Sequence, residues 1–217
     1  MALLIAEELL LVAYREDGTA HGKGSELDLA LGGALLVELA LAGNVELTDS
    51  DVVASGQRPV PTEPELAAAL TAIATKPRRP KAWVQRLAKG VRRRLLDDLV
   101  ARGVLTEREY RRLGVFAARA YPAADPAPRQ EIEGRLRAAV VDGELPDERT
   151  AALASMIAAA GLERRVFPED DRKLVKRRLK EIAEGDVVAA AVRRTIQAAH
   201  AATMAAVTAA TTVAASS

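Results

Sequence analysis

The sequence has no cysteine, two histidines, His21 and His200, and six aromatic residues among 217: one Trp, two Phe and three Tyr. Without Cys there is no disulfide, no thiolate metal site and no Cys nucleophile, and a reducing compartment, the cytoplasm, is the expected home. Two isolated His leave little for a metal site or an imidazole base, so no cofactor, no metal and no enzymatic chemistry are expected. Long apolar runs are missing as well. The opening stretch Ala2 to Ala13 is interrupted by Glu7 and Glu8 and has no basic flank, unlike a signal peptide. The Ala-rich tail from Ala189 is broken by Arg193, Arg194, Gln197 and His200. No run reaches the ~18 apolar residues of a transmembrane helix. With so few aromatics, the 49% apolar content is mostly Ala, Leu and Val, which suits close helix packing better than a β-sandwich.

Charge is plentiful and unevenly placed. The net charge is +1, but residues 1–75 hold 3 Lys/Arg against 12 Asp/Glu, residues 76–112 hold 13 against 4, and the remainder holds 15 against 14. A first third at −9 is therefore followed by a short segment at +9, and an anionic partner is expected to meet that segment.

The fold class expected is mostly α: one helical-bundle domain over 1–217 with a buried central helix, one or two short β-hairpins, and a frayed tail at 205–217. Glu26 to Ala42 is apolar almost all round and stops before Gly43, as a buried central helix does. Asn44 to Leu47 and Val52 to Ala54 flank the turn TDSD and predict a short hairpin. Thr62 with Glu65, and Pro64 in the first turn, predict a capping box and a helix through about Thr75. From Lys81 to Arg102 apolar residues recur at helical spacing, predicting one amphipathic basic helix with Arg86, Lys89, Arg92, Arg93 and Arg94 around its other faces. Thr106 and Glu109 predict a second capping box and a short helix to Arg112, and Leu113 to Tyr121 a loop or hairpin before Pro122. Helices are expected from Asp125 to about Val141, Asp147 to Ala160, Pro168 to Glu184, and from Asp186 onward.

Few residues suggest chemistry. Gly22-Lys23-Gly24-Ser25 lacks the spacing of a phosphate loop, and Ser25 lacks the surround of a nucleophile elbow. The pairs Glu7/Glu8, Asp97/Asp98 and Asp170/Asp171 diverge by about 100° on a helix and read as solvated faces or helix starts. His21 and His200 read as a loop residue and an exposed helix residue. The basic helix stands out: Lys89 and Arg92, three apart, share a face on which two cations can converge on one phosphate, with Arg86 and Arg93 beside them. The same cations would serve nucleic acid, and VRRRLLDDLVARGVL is similar to a helix leading into the wing of a winged helix. A third reading gives the acidic first third a role as adaptor for basic peptide tails.

The order of segments LLIAEELLLVAYREDGTA, LDLALGGALLVELALAGNVEL, VRRRLLDDLVARGVLTE, VFAARAYP and RTAALASMIAAAGL resembles the Golgi phosphoprotein 3 family from residue 3 to about residue 205. That resemblance implies a mostly helical fold, a projecting β-hairpin, peripheral membrane binding through phosphatidylinositol 4-phosphate, and no enzyme activity. It places Lys89 and Arg92 on the family's basic pair. The family's Trp falls near Lys23 or Gly24 and its central-helix Arg at Gly32, so half of that site is absent; Trp83 lies in a different segment. The basic N-terminal extension by which eukaryotic members engage vesicle coat is missing from the sequence, and a bacterial relative that binds acidic lipid is expected. The membrane or self-association hairpin is expected to present Val115 and Phe116 at its tip between Arg112 and Arg119, with a lipid surface, basic tails of membrane proteins or a second copy of the chain as partners. Nucleic acid is the disfavoured alternative.

Overall fold

Apolar residues begin almost at the start of the chain, and so does the core. Leu4 caps α1 (Ile5–Ala13), and Glu7, its third residue, reaches back to accept the Leu4 N–H at 2.9 Å, half of a capping box. All nine residues of α1 are buried, Glu7 and Glu8 included. The structure, a computed structural model, describes residues 2–20, 24–47, 50–112, 116–185 and 190–215. Helix α2 (Gly24–Leu41) is the central helix read from the sequence; it is closed by Gly43 at φ +73°, with the Asn44 N–H donating to the Leu39 carbonyl at 2.9 Å.

Strands β1 (Val45–Leu47) and β2 (Val52–Ala54) form the expected hairpin, with Val45 opposite Ala54. Helix α3 (Pro64–Thr75) follows, but its N-cap is Glu63 and not Thr62. Glu65 takes Arg94 at 2.7 Å in place of the predicted capping-box bond. The basic segment is two helices, not one: α4 (Pro80–Leu87) and α5 (Val91–Ala101) are separated by Gly90 at φ +67°. That left-handed conformation carries little cost for glycine and breaks an apolar spacing that otherwise reads as continuous.

The predicted short helix at Thr106 to Arg112 is also corrected. Arg108–Arg112 is β3, pairing antiparallel with β4 (Phe116–Ala120) from Arg108 opposite Ala120 to Arg112 opposite Phe116. The base of this hairpin is fastened by backbone bonds that a helix would forgo: Thr106 N–H to the Pro122 carbonyl at 2.9 Å and Tyr121 N–H to the Gly18 carbonyl at 2.8 Å. Then come α6 (Ala127–Val140), α7 (Glu148–Ala159), α8 (Glu163–Val166), α9 (Arg172–Ala183) and α10 (Ala190–Ala215). Asp147 and Asp171 cap α7 and α9 with their carboxylates. Helix α10 continues through 205–215, the stretch expected to fray, and Ala206 in it is buried.

The core is helix on helix around α2, against which α1, α4, α7 and α10 pack. Two adjacent glycines allow the close approach. A Cβ at Gly32 would lie 2.6 Å from the Val84 carbonyl oxygen of α4, and one at Gly33 would press on Met156 Sδ of α7 at 3.0 Å. Glycine inside a helix costs about 1 kcal/mol, which this packing offsets.

Glu7 and Glu8 are not on a solvated face. Glu7 pairs with Arg102 of the α5 C-terminus. Glu8 accepts from Arg135 of α6 at 3.1 Å and from Arg149 of α7 at 3.0 Å, and Arg149 also reaches Glu38 of α2 at 2.7 Å. Two sets of ion pairs thus fasten α1, one to the end of α5 and the other to α6, α7 and, through Arg149, α2. His200 is largely buried rather than exposed, its Nδ1 3.1 Å from the Ser155 carbonyl oxygen, and burial lowers its pKa. His21 lies outside the described residues.

A cationic groove between the central helix and the hairpin

The break at Gly90 decides which cations meet. Val91, Leu95 and Leu99 turn one face of α5 into the core, which leaves Arg92 and Arg93 at its N-terminal end beside the hairpin. A groove of about 360 Å³ is lined there by Asp28 of α2, Gly90, Arg92, Arg93 and Leu96 of the α5 segment, and Arg119 and Tyr121 at the end of β4. Three arginines against one carboxylate give the lining a formal charge of +2. Arg93 pairs with Asp97 at 3.5 Å with both side chains more than half exposed, and Arg119 with Glu107 at 3.0 Å. Exposed pairs of this kind contribute little to stability, and Arg119 also bonds to the Tyr121 side chain.

Arg92 is held differently. Its Nε donates to Asp28 Oδ1 at 2.8 Å and its Nη2 to the Gly24 carbonyl, with the Tyr14 side chain alongside. Burial works against its charge, and Asp28 more than offsets this, so the guanidinium is held above its ordinary pKa. Burial also raises the Tyr14 pKa against the pull of Arg92. Tyr14 meets Tyr121 edge to face at 6.3 Å, which stiffens the wall of the groove.

Of the residues singled out from sequence, Arg92, Arg93 and Arg119 come together. Lys89 and Arg86 do not line the groove. Lys89 lies in the exposed turn before Gly90, where its carbonyl accepts from Arg94 at 2.8 Å, and so shares no helix face with Arg92. Arg86 is exposed on α4, its guanidinium 5.9 Å from the centre of the buried Trp83 ring, with Arg78 at the same distance. Val115 lies outside the described residues, and Arg112 and Phe116 are described by their strand pairing alone. Gly32, where the resemblance places an arginine, is spent on contact with α4, and Lys23 lies outside the described residues. Sequence reasoning missed Asp28, Leu96 and Tyr121. A single carboxylate inside the apolar run LDLALGG was the signal for Asp28, since a charge there needs a partner.

Among the described residues no His/Asp/Glu cluster could hold a metal ion, and no helix is long and apolar enough to cross a membrane. Fold and groove together define a mostly helical domain with three arginines gathered beside a β-hairpin. Residues 5–199 match the Golgi phosphoprotein 3 (GPP34) family model, and the chain belongs to that family. No curated protein matches it.

Proposed function

We propose that this chain is a peripheral membrane protein that docks on an acidic lipid surface and takes one phosphate-bearing head group into the groove between α2, α5 and the β3–β4 hairpin, by binding and without catalysis. The observation that carries the reading is the convergence of Arg92, Arg93 and Arg119 on one groove, Arg93 being held by the exposed Asp97 and Arg119 by Glu107 and the Tyr121 side chain. Exposed Lys89 and Arg86 add cations in the neighbouring turn and on α4. Each Lys or Arg near an acidic leaflet contributes about 1 kcal/mol, so a handful gives reversible attachment without a lipid anchor. Phosphatidylinositol 4-phosphate is the head group that family membership favours, with cytosolic tails of membrane proteins as cargo.

Vesicle sedimentation across a salt series tests this. The chain is expected to pellet with vesicles containing phosphatidylinositol 4-phosphate or phosphatidylserine, to stay in solution with phosphatidylcholine alone, and to release as salt rises. Arg93→Ala combined with Arg119→Ala should lower pelleting several-fold at unchanged circular dichroism. Equal pelleting with neutral vesicles, or tighter binding to duplex DNA than to any vesicle, overturns the reading.

A further inference from the structure

Three arginines line the groove, but their availability differs. Arg93 and Arg119 sit at the surface in loose pairs, whereas the inner cation, Arg92, already has an anion on it: Asp28 Oδ1 bonds its Nε at 2.8 Å. The pair is only partly shielded, with side chains 22% and 32% exposed, and Asp28 itself is part of the groove wall. An incoming phosphate therefore meets a carboxylate on the very arginine it would use, and has to displace that carboxylate or bind beside a like charge.

We propose that Asp28 is a built-in competitor for the anion site: its carboxylate occupies Arg92 in place of a phosphate and limits both the affinity of the groove and the charge of the ligand it accepts. The proposal deepens the membrane reading and rests on it for the identity of the groove. Two features of the geometry favour competition over simple support of Arg92. First, Arg92 keeps other anchors without Asp28, since Nη2 donates to the Gly24 carbonyl and Tyr14 lies alongside. The guanidinium is thus held in place while its Nε edge is freed. Second, Asp28 lies at the groove wall with its side chain 32% exposed, so its carboxylate can leave Arg92 for water without being stranded in an apolar interior. With Asp28 neutral the groove gains one positive charge and suits a more highly charged head group than it does as built.

The shared ligand chemistry is a phosphate monoester on a polyol, and the two sources are a lipid head group and a free phosphate. The test titrates wild type, Asp28→Asn, Asp28→Ser and Arg92→Ala, alone and combined with Asp28→Asn, with soluble inositol 1,4-bisphosphate by calorimetry and with phosphatidylinositol 4-phosphate vesicles by sedimentation. Removing one like charge a few ångströms from a bound phosphate at a partly exposed site is expected to tighten binding about three- to tenfold. In the Arg92→Ala background Asp28→Asn should change binding less than twofold. Asp28→Ser keeps the test open should the new amide itself bond to Arg92, and thermal melting confirms that each variant is folded. Tightening on both probes assigns the groove to a head group, tightening on the soluble probe alone to a free phosphate, and either supports competition. Unchanged or weaker binding by both neutral variants overturns it. Wild-type binding to acidic vesicles with no response to either Asp28→Asn or Asp28→Ser sinks this inference and leaves the membrane reading standing; a response on the soluble probe from a chain that ignores vesicles does the reverse.

Discussion

Replacing Arg149 by alanine should loosen the hold of α7 on the start of the chain more than any surface change would. Arg149 donates to Glu38 Oε1 at 2.7 Å, to Glu8 Oε1 at 3.0 Å and to the Leu3 carbonyl, which joins α7 to α1, α2 and the N-terminal segment. The carboxylates it leaves behind are poorly hydrated, Glu8 being 7% and Glu38 13% exposed, while Arg149 itself is 32% exposed. Removing one partner of a fully buried pair costs about 3–5 kcal/mol. Here Glu8 keeps Arg135 at 3.1 Å, and water reaches part of the site, so the expected loss is about 2–4 kcal/mol. The sign of its pH dependence follows from Glu38. Burial already holds that carboxyl above its ordinary pKa and Arg149 pulls it down, so removing Arg149 lifts it further. A carboxyl whose folded pKa lies above its unfolded one binds its proton more tightly when folded, and its contribution to stability is lost as pH rises through the folded value. The deficit of Arg149→Ala should therefore be largest at neutral pH and shrink as pH falls through the raised Glu38 pKa. Urea denaturation followed by circular dichroism measures both, and Glu38→Gln added to Arg149→Ala should recover about 1 kcal/mol at neutral pH by removing the stranded charge. A loss below about 0.5 kcal/mol, or a double variant no better than the single one, would show that the network is not the fastening described.

His200, whose pKa burial lowers, favours its neutral form in the fold, so its contribution is present above the ordinary His value of about 6.5 and is lost as pH falls through the lowered one. Melting temperature should drop on acidification in wild type and less in His200→Gln; parallel curves refute the assignment. Gly90→Ala should cost about 1–2 kcal/mol because of its φ of +67°, and Gly90→Asn should cost less, since Asn tolerates the left-handed region; equal cost in the two variants would shift the cause to the nearby Arg94 side chain, which a Cβ would meet at 3.2 Å.

The helices were legible where apolar spacing and caps agreed. Asp147 caps its helix as read, and Gly43 follows the central helix it was expected to end. The basic segment was misread because Leu87, Ala88, Val91 and Leu95 keep helical spacing across the Gly90 break, and spacing alone does not reveal that one glycine between them turns left-handed. The β3 segment was misread for the opposite reason. Thr106 with Glu109 satisfies the local pattern of a capping box, but the carbonyls of Gly18 and Pro122, one of them distant in sequence, supply the bonds that pin the hairpin base instead. Both misreadings touch the groove, which Arg92, Arg93 and Arg119 line while Lys89 lies in the turn before Gly90.

The charge asymmetry carries the same lesson further. A −9 segment followed by a +9 segment suggests two surfaces for two partners, yet much of that charge is consumed inside the fold. Glu7 takes Arg102, Asp28 takes Arg92, and Glu65 takes Arg94, each joining the acidic third to the basic segment, while Glu8 and Glu38 take arginines from later helices. Opposite charge blocks adjacent in sequence are thereby a fastening before they are a recognition surface. What remains for an outside anion is the set the fold does not pair deeply: Arg93 and Arg119 at the groove, Lys89 and Arg86 in the neighbouring turn and helix, and the exposed Lys76, Arg79, Lys81 and Arg108. The strength of any membrane attachment should therefore track these residues and not the cations already fastened to Glu7 and Glu65, and Asp28, which stands between the two uses of charge, is the position where one substitution moves an arginine from the first use to the second.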